Sequence, residues 1–165
     1  MFVLSLRTNK KRLIFILAGI VAALLLLYFG VNRDAPAAND GAISLKASDA
    51  GERLAFLSQF GWEVEEDPVK VEEVIIPSEF NAVYEKYNQL QLEQKFDLTK
   101  YAGKTAKKWT YKIKNYPGYG TDCDFIYANL LVFEGVVIGG DVSSQEQNGF
   151  MRGFDFPEQG EQLVE

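Results

Sequence analysis

Leu13 to Val31 reads LIFILAGIVAALLLLYFGV, nineteen consecutive residues without a charge. At a helical rise of about 1.5 Å per residue, such a run matches the hydrocarbon thickness of a bilayer. It predicts a transmembrane helix over residues 13–31, with membrane lipid as its partner. Everything else is arranged around that span: a cytoplasmic tail over 1–12, a linker over 32–47, an extracytoplasmic domain over 48–155 and a loose tail over 156–165. Orientation follows from charge. Arg7, Lys10, Lys11 and Arg12 precede the run, whereas Arg33 after it is offset by Asp34. Cationic flanks stay on the cytoplasmic side, which puts the amino terminus inside and the rest of the chain outside the cell membrane.

A cleaved signal peptide is the competing reading, because Ala35-Pro36-Ala37 has the small-x-small form of a cleavage site. Cleaved signals carry apolar stretches of about seven to fifteen residues, shorter than this one. An uncleaved single-pass anchor is therefore the expectation. NRDAPAANDGAISLK, from Asn32 to Lys46, has the small, polar composition of a tether.

All 23 acidic residues but only 13 of the 17 basic ones lie beyond Val31, so that part carries a net charge of −10. A surface this acidic disfavours nucleic acid. The chain has no histidine, which removes the commonest general base and metal ligand together. Its single cysteine, Cys123, can form no intrachain disulfide and no thiolate cluster. Asp122 and Asp124 on either side would also suppress the reactive thiolate. No metal and no cofactor are expected.

Beyond the tether, Ser48 reads as an N-cap. Leu54, Phe56, Leu57 and Phe60 recur at helical spacing before Gly61, predicting a helix over Asp49–Phe60. Trp62-Glu63-Val64 and Val69-Lys70-Val71 alternate around Glu66-Asp67-Pro68, which predicts a hairpin whose second strand continues through Val74-Ile75-Ile76. Ser78 opens a second helix, with Phe80, Val83, Tyr84, Tyr87 and Leu90 as its apolar stripe. Phe96, Leu98 and Tyr101 pin the connection that follows. Trp109 to Lys114 alternates as a strand, Phe125–Phe133 is almost continuously apolar, and Val136–Val142 returns after Glu134-Gly135. The order α-β-β-α-β-β-β with short turns implies an antiparallel sheet, so the fold class is α+β with both helices on one face of the sheet.

Three segments invite chemistry. Gly139-Gly140 follows a strand, but no helix begins after it, so a phosphate loop is disfavoured and a β-bulge or close backbone approach is expected. Asp141 beside it can accept a hydrogen bond. Glu63, Glu65, Glu66, Asp67, Glu72 and Glu73 lack the alternating spacing of a calcium loop and read as a solvated rim. The turn from Asn115 to Cys123 is rich in tyrosine, as contact surfaces are. Trp109, Tyr116, Tyr119, Tyr127 and Asp141 are accordingly the candidate binding residues, and no catalytic residue is assigned.

GWEV, VIIPSEFNAVYEKYNQLQ, FDLTKYAGK, WTYKIKNYP and LLVFEGVVIGGDVSS, between Ala50 and Gly153, carry a resemblance. In this order they resemble a family of short membrane-anchored proteins of Gram-positive bacteria with an extracytoplasmic domain of unknown function. The last hairpin is also loosely similar to small peptidase-propeptide-like domains. The family resemblance implies topology and domain limits but no activity. The functional expectation is an extracytoplasmic binding module, not an enzyme, for a protein or cell-envelope component. The alternative is a carboxylate-dependent cell-wall hydrolase or peptidase-modulating domain.

Overall fold

The computed structural model describes residues 43–119 and 124–157. The expected transmembrane segment, the cytoplasmic tail, most of the linker and Cys123 lie outside the described residues. No helix among the described residues is long and apolar enough to cross a membrane.

One antiparallel sheet organises the domain. Its strands are β1 (Lys70–Ile75), β2 (Thr105–Lys112), β3 (Ile126–Phe133), β4 (Val136–Ser144) and β5 (Met151–Arg152), and their spatial order is their chain order. Helix α1 (Ala50–Ser58) precedes β1; helix α2 (Ala82–Glu93) and a 3-10 turn (Leu98–Tyr101) connect β1 to β2. The class is α+β, a meander with two helices.

Each helix starts at a local capping signal. Asp49, rather than Ser48, caps α1, its carboxylate accepting the Glu52 N–H at 2.8 Å. Glu52 reaches back one residue beyond the cap and accepts the Ser48 N–H at 2.8 Å, a variant of the capping box. The helix closes where Gly61 adopts φ +90°, a conformation that suits glycine. Helix α2 starts later than Ser78, because the Asn81 side chain accepts from the N–H groups of both Val83 and Tyr84.

The helices lie on opposite faces of the sheet, not together on one. Phe56 and Leu57 of α1 join Tyr111, Ala128, Leu130 and Val142 in one core. Tyr84 and Tyr87 of α2 pack against a second core of Ile76, Leu98, Ala106, Leu131 and Ile138. Side chains alternate along a strand, so Leu130 and Leu131 necessarily serve different cores. Covering both faces explains why β3 is apolar throughout and buried along nearly its whole length.

The expected hairpin at Trp62–Val71 does not form. Val64 bridges Ile113, the Glu65 N–H donates to Lys112 O, and the Val69 N–H donates to Thr110 O. Both segments therefore run along the same edge of β2 and its continuation, and Glu66-Asp67-Pro68 jogs the chain without reversing it. The fifth strand is instead β5, which pairs with β4 through Val142↔Arg152 and Ser143↔Met151.

The packed unit takes in more chain than 48–155. Within the expected linker, Ala47 is buried and its N–H bonds Gly135 O, while Val137 N–H bonds Leu45 O. At the other end Phe156, placed by composition in the loose tail, packs on Trp62 with ring centroids 4.6 Å apart. Phe154 is a core residue whose carbonyl accepts the Trp62 indole N–H at 2.6 Å.

Candidate functional site

The candidate aromatic residues do not form one surface. Trp109 sits on the α1 side of β2, under the guanidinium of Arg53. Tyr116 is buried and stacks on Trp62 at 5.7 Å. Tyr119 meets Tyr116 edge-on at 5.6 Å, the one close pair within the set. Tyr127 is half-buried and its hydroxyl donates to Asp124 O at 2.6 Å.

Asp141 is not at a turn. It lies mid-strand and is 3% exposed, at the end of a register row that crosses the sheet through Thr110, Asn129 and Asp141. The row is hydrogen-bonded throughout. Thr110 Oγ1 donates to Asn129 Oδ1 at 2.9 Å, and Asn129 Nδ2 donates to Asp141 Oδ1 at 2.8 Å and to Ser143 Oγ at 3.0 Å. From α2, Tyr87 Oη donates to Asp141 Oδ2 at 3.0 Å. Burial lifts the Asp141 carboxyl above its ordinary range, opposed by the hydrogen bonds of Asn129, Tyr87 and Ser143 and by the charge of Lys108. Burial, then the nearby Asp141 charge, pushes the Tyr87 phenol well up.

The β3–β4 register shifts between Leu131 and Val132, as at a bulge. The bulge falls just before Gly139-Gly140, at Ile138, because Leu131 pairs with Gly139 and Val132 with Val137; the glycines themselves provide the close backbone approach. A Cβ on Gly139 would stand 2.7 Å from Gln91 Oε1, and one on Gly140 would collide with Asn129 O. Because β5 is only two residues long, it leaves the edge of this part of β4 that faces away from β3 without a strand neighbour. Side-chain amides of α2 stand in for one. Gln91 Oε1 accepts the Gly140 N–H at 2.7 Å, and Gln94 Nε2 donates to Gly140 O at 3.1 Å. Gln94 Oε1 also accepts the Phe154 N–H at 2.7 Å, while Asn88 Oδ1 accepts that of Leu98 at 2.8 Å.

Helix α2 is thus rotated from its expected orientation. Asn88 and Gln91 are buried, whereas Val83, assigned to the inner stripe, is 77% exposed. The polar residues Asn88, Gln91, Gln94 and Asn129 were missed as site residues because amides read as surface. The one visible signal was Asn129, a lone amide inside an apolar strand.

The rotation opens a groove of about 650 Å³ between α2 and β5, lined by Val83, Tyr84, Tyr87, Leu90 and Met151, with Lys86 and Glu93 among its polar borders. Tyr87 joins the groove to the buried row behind it. The acidic rim is partly paired: Glu72 bonds Lys70 and lies 3.7 Å from Lys108, and Glu65 lies 3.6 Å from Lys112. Among the described residues no group of three or more acidic or cysteine side chains is arranged to hold a metal ion.

The profile of a family described as "Domain of unknown function (DUF4830)" matches residues 56–142, from α1 through the Asp141 row. No curated protein and no solved structure matches the chain.

Proposed function

We propose, from the premise that this chain belongs to the DUF4830 family of domains of unknown function, that it is a binding module held at the cell membrane by residues 13–31. Its partner is a protein or envelope component on the extracytoplasmic side. The observation that carries this reading is the groove beside α2, where exposed Val83 and Met151 flank the ring of Tyr87. Scattered exposed apolar side chains are ordinary, but a concave cluster with a polar border is the form of a recognition surface. Its floor is preorganised, because the Tyr87 hydroxyl is fixed on Asp141.

A photo-crosslinking residue at Val83 or Met151 of the full chain, in intact cells, is expected to give discrete adducts. The same residue at Glu66, on the far edge of the sheet, should give none. Equal labelling at all three positions would refute the assignment. An extracytoplasmic reporter fused after Glu165 tests the topology separately.

The hydrolase alternative has one observation in its favour: Asp141 is a carboxyl with a raised pKa, the state a general acid needs. Turnover of a wall glycan or peptide by the purified chain, lost in Asp141→Asn, would decide for that reading.

A further inference from the structure

Arg53 is an internal cation. It is 6% exposed, its Nε donates to Tyr111 Oη at 2.8 Å, its Nη1 donates to Ala47 O at 3.3 Å, and its guanidinium lies 3.6 Å from the centroid of the Trp109 ring. These contacts orient the group without neutralising it, for tyrosine, carbonyl and indole carry no formal charge. A guanidinium presents five N–H donors, and these contacts use two. Buried charges are ordinarily paired. Among the described residues no carboxylate lies within ion-pairing distance of Arg53.

The same side chain lines a groove of about 460 Å³ on the α1 face of the sheet, together with Trp109, Lys107, Glu73 and Glu134. Glu73 and Lys107 are register partners, yet no ion pair joins them or joins any two of the four charged groups. Four charges around one concavity, two of each sign and none paired, leave the site open to a ligand that supplies the missing partners.

We infer that this groove binds a carboxylate, seated on the free edge of Arg53 with Lys107 as the second cation. A planar carboxylate matches the guanidinium fork, and stacking on Trp109 holds that fork in place. Glu73 and Glu134 select against a dianionic phosphate and favour a monoanion, especially one whose own amine can face them. The site lies on the opposite face from the α2 groove and does not depend on it.

The chain has two tryptophans, of which Trp62 is buried in an aromatic stack, so Trp109 reports on the groove. The full chain in detergent is titrated at constant ionic strength with acetate, alanyl-alanine, alanyl-alanine amide and inorganic phosphate, following tryptophan emission. A saturable change with the free acids, absent with the amide and lost in Trp109→Phe, is expected. Lys107→Gln, on the surface, should weaken binding roughly two- to fivefold, the size of one exposed charge pair. Arg53→Lys should abolish binding, with a thermal melt confirming that this variant folds. Tighter binding of alanyl-alanine than acetate identifies a peptide C-terminus as the source of the carboxylate, and equal binding identifies a small free acid. No saturable change, equal responses to acid and amide, preference for phosphate, or unchanged affinity in Lys107→Gln overturns the inference.

Discussion

Tyr87 and Asp141 are joined across the space between helix and sheet, the phenol donating to a carboxylate oxygen at 3.0 Å. This bond ties α2 to the middle of β4 and makes the wall of an exposed groove continuous with a buried polar row. Tyr87→Phe keeps the ring and removes the donor. Loss of a hydrogen bond to a buried acceptor costs about 1–3 kcal/mol, and chemical denaturation of the variant against the parent measures it. An unchanged midpoint would mean that the ring alone positions α2.

The same carboxyl makes stability depend on pH. Its native pKa is raised above the ordinary 3.8, chiefly by burial. The folded state therefore holds the proton to higher pH than the unfolded chain does. This group's contribution is fully present below the unfolded pKa and is lost as pH climbs through the folded one. Asp141→Asn has no such proton to lose, so its stability relative to the parent should improve from pH 4 to pH 7. Thermal melts of both proteins at the two pH values read this directly, and an identical difference at each pH would contradict it.

Gly139→Ala tests the close approach of helix and strand. The added methyl would meet Gln91 Oε1 at 2.7 Å and Leu98 Cδ2 at 3.2 Å. Overpacking of this kind costs about 1–3 kcal/mol. It should also expose the Gly140 amide to faster hydrogen exchange, since Gln91 must move to make room.

Gly51→Ala should act in the opposite sense. Gly51 is exposed in α1, and its nearest neighbour to an added methyl is Asp49 Oδ1 at an ordinary 3.4 Å. Lower entropy of the unfolded chain should then stabilise the domain by roughly 0.4–1 kcal/mol, seen as a higher melting temperature. A lower one would mean that the methyl disturbs the Asp49 cap.

Where one face of an element meets water and the other meets core, the sequence could be read. Trp109, Tyr111 and Ile113 alternate with polar residues, and Gly61 marks the end of α1 by its backbone requirement. The β3–β4 hairpin was legible because Glu134-Gly135 supplies two residues with positive φ, as a tight two-residue turn demands. Helix α2 misled because its inner face is polar. Gln91 and Gln94 serve backbone groups that the short β5 leaves unpaired, and Asn88 serves the first N–H of the 3-10 turn; that need arises in tertiary structure, invisible along one segment. Strand β5 was missed because two residues carry no period. Residue type nominates the candidate aromatics, but type does not say which ring is stacked inside, as Tyr116 is, and which borders a groove, as Trp109 does.

The contacts of Phe154 have a temporal consequence. Its peptide is clamped between Gln94 and the indole of Trp62, and its ring enters the core beside Phe56 and Phe60. Until residue 154 has emerged during synthesis, the α1 core is missing one of its rings and Trp62 has no acceptor for its N–H. Completion of that core thus waits on one of the last packed residues to arrive, and a nascent chain halted just short of it would present an unfinished hydrophobic face to whatever handles it.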